Sequence, residues 1–284
     1  MRQVDGVTHA ARASGGWSLT AIWIGVIGGL TSGLLGVGGG IVMVPLLVRF
    51  LHLEQRRAHG TSLAILIFTA TAAALTYRAV GRADLGLAAF LAAGAVVAAP
   101  LGARATARMS SEGLRRAFGG LLVLVGIRLF LTHLPEGAWL ALPGLAGRLT
   151  TVAVGTVVGF LSGLLGVGGG VVMVPILVLL FGLPQHDAQG VSLFMVIPTA
   201  VVGAWSHVRL GNVERRIVLP VALASVVAAV CGAALANVLH GTTLRYLFGA
   251  LLLVTGLRLL STRRNGPPLG PGAGPGAGPG LASR

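Results

Sequence analysis

Ser32-Gly-Leu-Leu-Gly-Val-Gly-Gly-Gly-Ile-Val-Met-Val-Pro45 recurs as Ser162-Gly-Leu-Leu-Gly-Val-Gly-Gly-Gly-Val-Val-Met-Val-Pro175. Thirteen of the fourteen paired positions are identical, the exception being Ile41 against Val171. The 130-residue offset holds without a gap as far as Arg128 and Arg258. Two copies of a glycine-broken apolar segment in one hydrophobic chain predict a membrane protein with its site between two related halves.

The duplication extends beyond the signature. Gln55 pairs with Gln185, Gly60 with Gly190, Ser62 with Ser192, Thr69 with Thr199, Asp84 with Glu214 and Phe118 with Phe248. Apolar stretches occupy about 17–50, 61–78, 85–104 and 113–131, then 149–181, 191–208, 216–236 and 243–261. The chain is 55% hydrophobic and 10% charged, with a mean hydropathy of +0.89, far more apolar than an ordinary soluble domain. With their flanks, most stretches reach the ~20 residues an α-helix needs to cross ~30 Å of hydrocarbon. The roughly ten-residue alternating pattern of a membrane barrel strand is absent. The prediction is an all-α integral membrane protein in a lipid bilayer: two homologous four-segment repeats, about eight transmembrane segments in all. Its parts are a polar segment over 1–16, repeat one over 17–132, a connecting loop over 133–148, repeat two over 149–262 and a tail over 263–284. The tail is too rich in Pro and Gly to bury a core, so it is expected to be disordered.

Net charge is +14, from 21 arginines against seven acids, with no lysine. In a soluble protein such a balance would suggest a nucleic-acid partner. Here almost every arginine lies at the edge of an apolar stretch, where it snorkels to headgroups and fixes orientation. No basic stripe carries interleaved aromatics that stack bases, so no nucleic-acid partner is expected. The single cysteine, Cys231, excludes an internal disulfide and any cysteine-pair metal or redox site. Residues 1–16 are polar and mixed, which predicts no cleaved signal peptide. The seven acids fall in loops or termini, and no Ser-His-Asp or metal-ligand cluster emerges. A non-enzyme without a cofactor is the reading.

The interrupted segment decides the topology. Trp17 to Phe50 is 34 residues, roughly 51 Å as a helix, too long for one straight crossing and too short for two complete ones. Gly36-Val-Gly-Gly-Gly40 sits inside it, and adjacent glycines make poor helix and good turn. If the segment crosses once, the side bearing the N-terminus carries 13 arginines against eight; if it turns back at the glycines, the split is 16 against five. The positive-inside rule prefers the second arrangement. Three crossings plus a hairpin is an odd count, so the halves would be inverted repeats, with both termini cytoplasmic at the inner (plasma) membrane.

The glycines divide by spacing. Gly25, Gly29 and Gly33, like Gly155, Gly159 and Gly163, recur every four residues and predict smooth faces for close helix contact. Gly36, Gly38, Gly39 and Gly40, with Gly166, Gly168, Gly169 and Gly170, break the helix instead. Non-helical backbone at membrane depth must be buried in protein or line a wet cavity. Pro45 and Pro175 are expected in the first turn of the half-helix that follows, where a missing N–H costs nothing. The free amides and positive end of that half-helix suit an anion, once per repeat. A dinucleotide fingerprint fails for want of an acid at the right distance, and a phosphate-binding P-loop fails for want of lysine. The paired hydroxyls Ser62 and Ser192, Thr69 and Thr199 are candidates to trim the pocket. Thr61, Gln189 and His59 lie near them. Arg128 and Arg258 are read as snorkelling residues.

The signature Gly-Leu-Leu-Gly-Val-Gly-Gly-Gly followed by Val-Pro, in both copies, resembles that of the sulfite exporter TauE/SafE family of membrane permeases. The likeness covers about residues 17–262. It implies an inner-membrane carrier for sulfite, sulfonates or related sulfur-containing anions, and what carries over by matching is Gly36–Pro45 and Gly166–Pro175. The expectation is a secondary carrier of a small anion, held by the broken-helix amides, with the halves rocking to change access. The alternatives are a channel-like anion pore and a non-transporting assembly or receptor subunit.

Overall fold

Among the residues it describes (5–106, 111–131, 144–165 and 168–261), the computed structural model contains helices and no strand. Gly166, loop residues 133–143 and the tail 263–284 lie outside the described residues. The helices are α1 (Asp5–Leu35), α2 (Gly40–Phe50), α3 (Gln55–Ala79), α4 (Leu85–Thr106), α5 (Ser111–Leu131), α6 (Gly144–Leu165), α7 (Gly170–Leu179), α8 (Gln185–Arg209), α9 (Arg215–Val238) and α10 (Gly241–Ser261). Six of them contain stretches long and apolar enough to cross a membrane: Gln55–Ala79, Leu85–Gly102, Gly144–Gly163, Gln185–Arg209, Arg215–Val238 and Gly241–Ser261. α1 begins at Asp5, inside the polar N-terminal segment.

The breaks fall at the glycines. α1 stops at Leu35 and α2 starts at Gly40; α6 stops at Leu165 and α7 starts at Gly170. The chain doubles back at the first break. A methyl group on Gly39 would stand 2.7 Å from the Gly28 carbonyl oxygen, and the Met43 methyl packs against Gly28. Eleven residues of straight helix would separate positions 28 and 39 by ~16 Å. Met43, Leu47 and Leu51 accordingly share one apolar cluster with Ala21 and Ile24 of α1 and Val221 of α9.

Facing residues give the direction of each helix. Gly25, Gly29 and Gly33 of α1 meet Val221, Ser225 and Ala229 of α9, advancing together, so the two helices run parallel. Gly155, Gly159 and Gly163 of α6 meet Leu91, Ala95 and Ala99 of α4 in the same way. Along α3 and α9, Thr61 accepts from the amide of Glu214 just before α9, and Thr69 pairs with Ser225, so these helices are again parallel. In α3 and α8 the order reverses: Gly60 faces His207, and Leu63 faces Gly203. α5 and α10 also run opposite ways, with Gly126 against Leu253 and Phe130 stacked on Tyr246 at 5.2 Å between ring centres. Thus α1, α3 and α9 point one way and α8 the other. Since α1 and α3 agree in direction, α2 between them must run back.

The four-spaced glycines form very close contacts. Each points its missing side chain at the backbone of the facing helix, mostly at a carbonyl oxygen. Such approach permits Cα–H to carbonyl contacts and dense van der Waals packing, which hold helices together where lipid supplies no hydrophobic drive. The outward faces carry Trp23, Val97, Leu124, Val227 and Val238, all exposed, as suits a lipid-facing surface.

Pro45 and Pro175 require a correction. Each lies inside its half-helix, five residues past the first helical position, rather than in the first turn. The ring therefore removes an amide that would have bonded to the carbonyl four residues earlier, at Ile41 or Val171.

Candidate functional site

The two glycine turns touch each other. A methyl on Gly170 would stand 2.6 Å from the Val37 carbonyl oxygen, in the middle of the first turn. Gly38 packs against Leu66 of α3 and Val196 of α8, Gly168 packs against the same Leu66, and Gly36 packs against Gln189 of α8. The turns need backbone that side chains disfavour: φ is +69° at Gly36, +80° at Gly38, +74° at Gly39 and +82° at Gly168. Gly169 differs from its mate, with φ −65°. The first helical bonds run from Val42 and Met43 to the Gly39 carbonyl, and from Val172 and Met173 to the Gly169 carbonyl. The amides before them open onto the helix end, as at any helix start. Gly40 and Gly170 are both buried.

Around the first turn the polar groups are engaged with one another. Tyr77 of α3 is fully buried, its hydroxyl 2.8 Å from Gln189 Oε1 and 3.0 Å from the Gly33 carbonyl, with one proton to serve either acceptor. Gln189 Nε2 donates to the Leu34 carbonyl at 3.2 Å. Ser32 stands beside Gly39, fully buried, its hydroxyl without a hydrogen-bond partner among the described residues.

Around the second turn there is space. A cavity of about 110 Å³ is lined by Gly168 and Ser162, by Leu63 and Leu66 of α3, by Ala99 and Pro100 of α4, and by Thr199, Ser206 and His207 of α8. Thr199 donates to the Val196 carbonyl at 2.7 Å and Ser206 to the Val202 carbonyl at 2.9 Å, so both hydroxyl protons are occupied by their own helix.

The predicted residues are placed unevenly. Gly36, Gly38, Gly168 and Gly170 gather at the meeting of the turns, and Thr199 joins them through the cavity. Gly39 faces back to α1, and Gly169 lies against Met195 and Val158. Ser62 and Ser192 are buried, and Ser192 Oγ has no hydrogen-bond partner among the described residues. Thr69 turns toward α9, its Oγ1 2.6 Å from Ser225 Oγ. Pro45 is exposed on α2, and Pro175 lines a separate apolar cavity with Leu121, Val171 and Ile176.

Two ion pairs outside the turns link separate segments of the chain. Arg57 reaches Glu214 at 3.6 Å, and Arg82 reaches Asp187 at 3.5 Å. Both are partly exposed and so contribute little to stability, ~0–1 kcal/mol. The Thr69–Ser225 bond is better sheltered. A double-mutant cycle of Thr69→Val and Ser225→Ala is expected to show a coupling of about 0.5–1 kcal/mol in detergent unfolding. Strictly additive losses would remove that bond from the account.

Tyr77, Gln189, Ser225 and His207 are the side chains that matching of identical residues passes over or leaves in the background. A signal was present: the 130-residue offset sets Tyr77 against His207 and His59 against Gln189, polar in both copies but different in kind.

The chain matches the family model described as "Sulfite exporter TauE/SafE" over residues 3–129 and 151–283. It is 30% identical over 261 residues to the "Probable membrane transporter protein YunE" of Bacillus subtilis (strain 168), covering 84% of this chain and 95% of that protein. It is 27% identical over 236 residues to the "Probable membrane transporter protein YdhB" of the same organism, covering 82% and 96%. A "Probable membrane transporter protein" of Haemophilus influenzae is 26% identical over 200 residues, 68% of this chain and 74% of that protein. No solved structure matches the chain.

Proposed function

The chain belongs to the sulfite exporter TauE/SafE family of membrane transporters, and on that premise we propose that it is a secondary carrier of a small anion, sulfite or a related sulfur-containing anion, working by alternating access. The observation that carries this reading is the contact of the two glycine turns, Val37 against Gly170, between equivalent helices that run in opposite directions. With α1–α2 and α6–α7 as hairpins that turn back at the glycines, α3, α4 and α5 and then α8, α9 and α10 are the three crossings of each half. α1 points with α3 and α9 while α6 points with α4, which supports inverted repeats related by an axis in the membrane plane. On this arrangement both termini lie on one side, and the arginine count makes that side cytoplasmic.

Comparison of repeat mates supports one access state. Gln55 and Arg56 are exposed, whereas Gln185 and His186 are buried, the latter 3.0 Å from the Leu239 carbonyl. The half-open face is thus the one bearing the termini, which is also where the cavity beside Gly168 extends along the last turns of α8. Anion contacts come from the amides that open α2 and α7, with Ser62, Thr69, Ser192 and Thr199 in the surrounding helices.

Radiolabelled sulfite, sulfate, sulfoacetate and taurine offered to proteoliposomes, with and without a pH gradient, test the reading. Saturable uptake with counterflow is expected for at least one of them. Flux without counterflow would make the protein a pore, and no flux of any would return it to an assembly or receptor role. Reporter fusions at residues 52 and 183 are expected on opposite faces of the membrane; both on one face would end the inverted arrangement.

A further inference from the structure

We propose that His207 is the cationic contact of the transported anion, binding one proton as the anion enters the cavity beside the second glycine turn, so that anion and proton move together. The proposal rests on the carrier reading above and deepens it by assigning the charge-bearing residue and the coupling ion.

Three observations lead there. Among the described residues lining the cavity of about 110 Å³ that reaches Gly168, His207 is the only ionisable side chain. The other side-chain donors on its wall are few, since Thr199 and Ser206 already donate to carbonyls of α8. An anion needs donors, and an imidazolium supplies both a proton and a full charge. His207 Nδ1 is buried and has no hydrogen-bond partner among the described residues, a costly state that a ligand would relieve.

The packing holds the ring in place. His207 lies directly on Gly60 of α3, where a methyl group would stand 2.8 Å from the His207 Cβ. Any larger residue at 60 would drive the imidazole out. The equivalent residue of the first repeat is Tyr77, which fills its own site and bonds to Gln189 and the Gly33 carbonyl. The halves have therefore diverged here, a phenol that closes against an imidazole that faces space. One imidazole at the cavity suits one proton per anion.

The charged and titratable groups on the packed elements leave this role to His207. α3 brings Arg56, Arg57 and His59, with Arg57 held 3.6 Å from Glu214 of the α8–α9 connection and His59 bonded to Gln55 at 3.1 Å. α4 ends with Arg104, α6 presents none beside Ser162, and α8 itself carries Arg209, whose guanidinium lies over the Trp205 ring. None of these lines the cavity.

The test separates binding from transport. In a Cys231→Ser background, Ser162→Cys places one thiol on the cavity wall. Its rates of modification by an anionic and a cationic methanethiosulfonate reagent are compared from pH 8 to pH 5.5. Taking the ratio cancels the changing thiolate fraction. The anionic-to-cationic ratio is expected to rise about tenfold on acidification, and to stay flat when His207→Gln is added. An equal rise in both proteins, no rise in either, or a thiol that neither reagent reaches would overturn the proposal. In proteoliposomes, a pH gradient is expected to drive sulfite accumulation by the unmodified protein and to lose that effect in His207→Gln, with downhill exchange still measurable. A His207-dependent labelling ratio without flux of any anion would sink the carrier reading and keep the binding site. Gradient-driven flux unchanged in His207→Gln would do the reverse.

Discussion

Gly33→Ala and Gly163→Ala are each expected to abolish folded protein, seen as loss of the monodisperse peak on size exclusion in mild detergent. The added methyl at Gly33 would meet the Ala229 carbonyl and stand 2.7 Å from the Ala233 amide nitrogen. At Gly163 it would meet the Ala99 carbonyl, with the Ala99 Cα at 3.0 Å. In both places the obstacle is backbone of the facing helix, so no rotamer change relieves it. Overpacking by a methylene in an adaptable core costs ~1–3 kcal/mol. Here two helices must separate along a whole face, which also loosens the contacts at Gly25 and Gly29, or at Gly155 and Gly159. Several kcal/mol is most of what a protein of this kind has to lose. Gly120→Ala is the control. Nothing lies within 4 Å of its missing side chain, and alanine improves helix propensity by about 1 kcal/mol, so yield and Tm should hold or rise. A Gly163→Ala protein with wild-type yield and Tm would show that α4 and α6 do not depend on this contact.

That contact was legible in the sequence, because four-residue spacing of glycine has one physical use between membrane helices. The break positions were legible too, since adjacent glycines cannot hold a helix. Less was legible at the site. Pairing across the repeat picked out Ser62, Thr69, Ser192 and Thr199, but not that Thr69 would spend its hydroxyl on Ser225 of α9. A bond across 156 residues depends on which helices become neighbours, and no local pattern encodes that. Pro45 lies deeper in α2 than the first turn because the helix already begins at Gly40, and its exposure depends on the side of α2 that packs on α1. Pairing by identity also hid Tyr77 and His207.

Gly39 and Gly169 are expected to respond oppositely to alanine, although they are mates in the repeated signature. Gly39 has φ +74° and opposes the Gly28 carbonyl, so alanine there strains the backbone by ~1–2 kcal/mol and adds a backbone clash. Gly169 has φ −65°, and its new methyl would meet the end of the flexible Met195 side chain at 3.1 Å. In the conformation described, Gly169→Ala should leave Tm within about a degree, while Gly39→Ala lowers it by several degrees. Transport should not follow stability. If the halves exchange conformations during alternating access, the opposite state requires positive φ at Gly169 and relaxes Gly39. Gly169→Ala would then fold normally yet oppose the switch by ~1–2 kcal/mol, about a 5- to 30-fold shift in population toward the present state. The expected phenotype is a stable protein with sulfite counterflow reduced by about that factor. Measuring Tm and counterflow for both variants side by side decides it: a Gly169→Ala protein with wild-type counterflow would mean that the two glycine turns keep their separate shapes throughout the cycle, and alternating access would have to be sought elsewhere in the fold.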